Sequence, residues 1–249
     1  MPKFFVESKQ IKDNKIMILG EDVNHIKNVL RKEVEDIIVV CNKDDTKNYL
    51  AQIELLDKEL ITCNIVKELE NDTESNVFIN VFQGLPKSDK MELIIQKSVE
   101  LGAAKITPVR MKRCVVKLTG KDEEKKISRW QKIAEVASKQ CERNIVPKIE
   151  KIVSIDDICN QIKDYDVVLV AYENEKENKL KYELEKFKNK SKNNLKIAIV
   201  IGPEGGLEQN DVDILEENGA KVITLGNRIL RTETVALSMI SIINYELEI

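Results

Sequence analysis

The chain has 249 residues, of which 42% are apolar and 33% charged, with a formal net charge of −3; it is long enough to bury one large core or two modest ones. No apolar run approaches bilayer length, and the start, MPKFFVESKQ, is too polar for a signal peptide, which argues against a membrane-bound or exported protein. Cys41, Cys63, Cys114, Cys141 and Cys159 form no CxxC pair and there is a single histidine, so reduced thiols in a cytoplasmic protein are expected, and no metal site.

Along residues 1–70 the segments KIMIL, DIIVV, YLAQIEL and LITCNIV are short and rich in Ile and Val, and predict strands. One helix, around DVNHIKNVLR, interrupts them. The pattern suits a small β-barrel domain over 1–70, and ENDTESN (70–76) suits a linker. From Val77 the rhythm changes, giving a second domain over 77–249. Strands are predicted at 77–83, 105–110, 166–172, 196–201 and 220–225. Helices are predicted near 88–102, 122–142, 155–163, 176–189, 208–218 and 232–247. The alternation implies an α/β fold, a mostly parallel sheet with helices on both faces.

Residues 84–151 carry 17 Lys and Arg against 9 Asp and Glu, so this third is basic within an acidic chain. Either it faces a polyanion or it is a lysine-rich solvated surface. In the helix at 122–142, Ile127, Trp130, Ala134, Ala137 and Cys141 form an apolar stripe. Lys125, Arg129, Lys132, Lys139 and Arg143 fall on the opposite face, broken only by Val136. That face could track phosphates, or belong to an ordinary amphipathic helix.

Two turns at strand ends carry the chemistry. In VIGPEGGLEQ (200–209), Gly202, Gly205 and Gly206 let the backbone come close to a ligand, and a side chain at Gly205 is expected to block that approach. The spacing matches neither the dinucleotide fingerprint nor a Walker loop. Pro203 removes a donor, and Glu204 puts negative charge where phosphate oxygens would sit. A nucleoside with no phosphate and a positive centre fits better, S-adenosylmethionine being one; a tight turn with no ligand is the other reading. LGNRILRTETVAL (225–237) opens with Gly226 and runs through Thr232, a candidate N-cap, into a helix apolar nearly all round. Such a helix lies in the core or in a subunit interface.

IGPEGG followed by LGNRILRTETVAL resembles the paired C-terminal signatures of the RsmE family, SPOUT-class methyltransferases acting on N3 of a uridine in 16S ribosomal RNA. HIKNVLR (25–31), QGLPKSDKMELIIQKSVELG (83–102) and RWQKIAEVASKQCERNIVP (129–147) are similar to its other motifs, in the same order. The resemblance implies an N-terminal PUA-like barrel, a SPOUT domain with a deep trefoil knot, a homodimer, and a substrate in the small ribosomal subunit. It also places S-adenosyl-L-methionine on three loops. These contribute Ala171 and Glu173; Ile201, Gly202, Glu204, Gly205 and Gly206; and Leu225, Gly226, Ile229, Leu230, Thr232 and Thr234. Leu230 would lend backbone groups to the adenine.

N3 lies on the Watson–Crick edge of uracil, so the base must be unpaired or turned out of its stack. Methyl transfer needs in-line approach and a donor for the uracilate charge that develops, and Arg231 is the candidate catalytic residue. A salt bridge to Glu233 or another carboxylate is its alternative role. RNA contacts are expected from Lys3, His25 and Arg31 in the barrel, from Lys87, Lys90, Arg110, Arg113 and Lys117 in the basic third, and from Arg129 and Arg143 on the helix. Methylation of a different RNA atom, such as a ribose 2′-hydroxyl, and a non-catalytic assembly factor are the rival readings.

Overall fold

In the strand KIMIL every second side chain is buried, Ile16 and Ile18 inward and Lys15, Met17 and Leu19 outward, the period-2 pattern of a half-buried sheet. This computed structural model describes residues 3–70, 73–87, 89–188 and 195–247. Part of the expected linker (71–72) and the end residues 88 and 189 of two expected helices lie outside them. The chain divides into two units, Met1–Glu74 with Ser138–Val146, and Ser75–Ala137 with Pro147–Ile249.

The first unit holds β1 (Lys3–Val6), β2 (Ile11–Lys12), β3 (Lys15–Leu19), α1 (Glu21–Asn24) running on into a π-type turn (His25–Val29), β4 (Ile37–Asn42), β5 (Asn48–Leu56) and β6 (Leu60–Leu69). The sheet order is β1-β4-β5-β6-β3-β2. Its two edge strands are not joined to each other among the described residues, so the expected barrel is a curled, open half-barrel. The core includes Phe4, Ile18, Ile26, Ile38, Val40 and Ile61. β1 escapes a reading by alternation because all four of its residues are buried, where it pairs in parallel with β4.

Two cations assigned to RNA are committed inside this unit. The helix expected to reach residue 142 stops at Gln140, and Glu142 takes φ +59°, so Arg143 leaves the cationic helix face. It is 5% exposed; its guanidinium reaches Glu74 Oε2 at 2.6 Å, and the same carboxylate accepts the N–H groups of Asn144 and Ile145 at 2.7 and 3.0 Å. Lys3 is 3% exposed and donates to Glu142 O at 2.5 Å and Asn144 Oδ1 at 2.8 Å. Burial holds its pKa below the ordinary lysine value, against the pull of neighbouring Cys41 and Glu142. Lys139, also expected on the open face, reaches Asp22 at 2.6 Å.

The second unit contains β7 (Val77–Gly84), α2 (Lys90–Glu100), β8 (Lys105–Val109), α3 (Lys121–Gln140) as far as Ala137, β9 (Lys148–Ile149), α4 (Ile155–Gln161), β10 (Val167–Ala171), α5 (Leu180–Glu185), β11 (Leu195–Ile201), α6 (Gln209–Glu217), β12 (Lys221–Ile223) and α7 (Thr232–Leu247). Its strands run in the order β12-β10-β11-β7-β8-β9, all parallel. Strands buried on both faces need continuous apolar runs, which VVLVA and LKIAIVI supply. α5 is shorter than expected because the Glu175 carboxylate accepts the N–H groups of Lys176, Glu177 and Asn178 at 2.9, 2.7 and 2.9 Å and closes a turn where the helix was to begin. α7 packs on α2, β7 and β11 and buries Ala236, Met239, Ile240, Ile243 and Leu247. It is thus a core helix, with Ile242 and Tyr245 turned outward.

Candidate functional site

Register decides what can meet. Ala171 of β10 pairs with Ile201 of β11 and with Ile223 of β12, and Ile201 pairs with Gln83 of β7. Four neighbouring strands therefore end level, and the loops that leave them share one edge of the sheet, where an open α/β fold binds its ligand. Those loops enclose a cavity of about 460 Å³, within the range of small-molecule sites.

Ala171, Glu173, Ile201, Gly202, Glu204, Gly205, Gly206, Leu225, Gly226, Ile229, Leu230, Arg231 and Thr232 all line this cavity. Thr234 does not; it is exposed on the first turn of α7. Ile229 stands at the rim, 87% exposed. The glycine turn is tight enough to reject side chains. A Cβ on Gly202 would lie 2.8 Å from the Gly206 carbonyl carbon, and Gly206 has φ +71° with Glu173 against its Cβ position. Gly205 differs from expectation, since its Cβ position faces Arg113 at 3.2 Å, and Arg113 donates to Gly205 O at 3.0 Å.

Thr232 is not the N-cap. The Arg231 carbonyl accepts from Thr234 and Val235 N–H at 2.8 and 3.0 Å and so closes the first turn of α7. The Thr232 hydroxyl, buried, donates to Gly202 O at 2.7 Å and accepts from Gln83 Nε2 at 2.8 Å, joining the two turns. Gln83 is a polar end to an apolar strand, and that interruption is the signal for it. Gly84 carries a second one: a Cβ there would meet Pro203 at 2.7 Å and Met111 at 2.8 Å.

Glu204 does not point a free charge at the cavity. Its carboxylate accepts Lys87 N–H at 3.0 Å and pairs with the Lys90 ammonium at 3.1 Å. Burial alone would raise its pKa, but a turn N–H, Lys90 and Lys87 outweigh it and hold the carboxyl below its ordinary value. Glu233 is also matched by Lys90, at 3.5 Å. Arg231, at the lip, is exposed, and among the described residues its guanidinium has no ion-pair partner. Lys90, Tyr172, Lys176, Pro203, Leu207, Thr224, Asn227, Arg228 and Val235 complete the wall.

The remaining candidates spread over both units. Lys87, Arg113 and Lys117 are exposed in the second unit, whereas Arg110 pairs with Glu123 at 2.5 Å and Arg129 with Glu92 at 2.9 Å. Those two pairs are half-exposed and cost little to exchange. In the first unit His25 and Arg31 are exposed, with the His25 ring edge-on to Phe4. Among the described residues no group of three or more His, Cys, Asp or Glu could hold a metal ion.

Residues 73–244 match the family profile described as RNA methyltransferase domain, and residues 18–66 match the RNA methyltransferase PUA domain. The chain is 37% identical over 257 residues to ribosomal RNA small subunit methyltransferase E of Bacillus subtilis, covering 100% of this chain and 98% of that protein. Its identity to the protein of the same name from Mesomycoplasma hyopneumoniae is 32% over 241 residues, covering 97% and 98%. The crystal structure of ribosomal RNA small subunit methyltransferase E from Neisseria gonorrhoeae, bound to S-adenosyl methionine, has the same fold with a TM-score of 0.85 at 29% identity, over 98% of this chain and 97% of that one. Similar to these proteins from end to end, the chain belongs to the RsmE family, that of ribosomal RNA small subunit methyltransferase E.

Proposed function

We propose that the protein is an S-adenosylmethionine-dependent methyltransferase acting on N3 of a uridine in 16S ribosomal RNA. The observation that carries the reading is one cavity walled by both glycine turns, with an uncommitted guanidinium at its lip. The cofactor fits what is there. Gly202 and Gly206 leave a cradle that any Cβ would crowd, and Ile201 and Leu225 offer apolar wall. Bound S-adenosylmethionine supplies an activated methyl group.

The chain's own work is to orient and to stabilise. Backbone groups of the 225–230 loop and the glycine turn hold the nucleoside, and Thr232 sets the distance between them. Arg231 faces the negative charge that builds on the uracil ring as the N3 proton passes to water, a charge absent from the bound neutral base and removed again once N3 has taken the methyl group. Arg31, Lys87, Arg113 and Lys117 are exposed cations available to RNA phosphates, and the His25 ring is exposed as well. Ribosomal RNA from a strain lacking the gene is expected to lose one N3-methyluridine, regained on complementation; loss of a 2′-O-methyl group instead would overturn the reading.

The homodimer, the trefoil knot and the cytoplasmic location belong to the same proposal. Ile242 and Tyr245 on the outer face of α7 support the dimer, since exposed apolar side chains in a core helix favour a partner. No described helix is long and apolar enough to cross a membrane. Light scattering at micromolar protein is expected to give twice the chain mass, and a monomer would remove the dimer.

A further inference from the structure

Lys90 opens α2, in the segment whose lysines the resemblance assigns to RNA. Its ammonium lies 3.1 Å from Glu204, on the glycine turn, and 3.5 Å from Glu233, in the first turn of α7. The stretch it belongs to meets the same two elements three more times. Lys87 N–H donates to Glu204 at 3.0 Å, Gln83 donates to Thr232 at 2.8 Å, and Gly84 sits so close to Pro203 that a Cβ would be 2.7 Å away. Gln83, Gly84, Lys87 and Lys90 thus form the seam between two loops that come from separate strands. A cation between two carboxylates screens their repulsion.

We propose that Lys90 is a positioning residue, holding the glycine turn and the start of α7 in the spacing that the cofactor needs, and that it is not an RNA contact. The inference rests on the cofactor reading above and assigns Lys90 its place within it. Without the ammonium, Glu204 and Glu233 repel each other, and the two loops drift from the geometry that binds the nucleoside. An arginine keeps the charge and can still reach both carboxylates; a methionine keeps the length and removes the charge.

The test is calorimetric binding of S-adenosylmethionine to the full chain, beside RNA binding titrated with salt. Lys90→Met is expected to weaken cofactor binding about tenfold, the scale of a charge-assisted hydrogen bond at a partly exposed site, and to leave the salt slope for RNA unchanged. Lys90→Arg should bind the cofactor like wild type. The double variant Lys90→Met with Glu233→Gln should bind no worse than Lys90→Met alone, because both changes act on one interaction. Normal cofactor binding by Lys90→Met, with a salt slope lower by about 0.7, would overturn the inference and return Lys90 to RNA. So would a Lys90→Arg variant as weak as Lys90→Met. A wild-type chain that bound no S-adenosylmethionine would instead sink the cofactor reading itself, and this inference with it.

Discussion

Replacing Gly202 by valine is expected to abolish binding of S-adenosylmethionine. The new Cβ would stand 2.8 Å from the Gly206 carbonyl carbon and 3.0 Å from the Leu207 nitrogen. Both are backbone atoms, so no rotamer change relieves the clash and the turn has to open. Opening it moves Gly202 O away from the Thr232 hydroxyl, 2.7 Å distant, and so uncouples the turn from α7. The contrast is Gly205→Ala. Its Cβ would meet the Arg113 side chain and carbonyl at 3.2 and 3.3 Å, which a shift of a few tenths of an ångström relieves, so it should keep most of its affinity. Calorimetry on both variants decides the matter. If Gly202→Val binds like wild type, or if Gly205→Ala is the more damaged, the cavity has been assigned to the wrong ligand.

Arg231→Ala is expected to lower single-turnover methylation by about 10²–10³, the scale for losing one group that stabilises transition-state charge. RNA affinity should hardly change, because an interaction made only as charge develops leaves ground-state binding alone. Geometry favours this over a structural salt bridge: among the described residues Arg231 has no ion-pair partner, and Glu204 and Glu233 both lie within 3.5 Å of the Lys90 ammonium. Thermal stability should therefore also stay near wild type. A variant that methylates normally once saturated with RNA, but needs far more RNA to saturate, would make Arg231 a docking contact and end its catalytic assignment.

The sequence by itself determined whatever local chemistry decides. Most strands of both sheets are visible as runs of Ile and Val, and α7 as an apolar helix, because burial on one or both faces writes its period directly into the residues. The glycine turns were legible for the same reason, a close backbone approach being a property of the turn itself. Even Val136, the one apolar residue expected on the exposed side of α3, is exposed. β1, the two-residue strands β2 and β9, and the early end of α3 were not visible. A fully buried four-residue strand has no alternation, and the break after Gln140 comes from a left-handed Glu142 rather than from glycine or proline. The fate of each cation was decided only by tertiary structure. Lys3, Lys90 and Arg143 count as positive charge in any composition, yet their partners, Asn144, Glu204 and Glu74, stand 141, 114 and 69 positions away. A charge count cannot tell a lysine facing solvent from one held between two carboxylates, because the Coulomb energy that separates them depends on distances in space that only the packed fold sets.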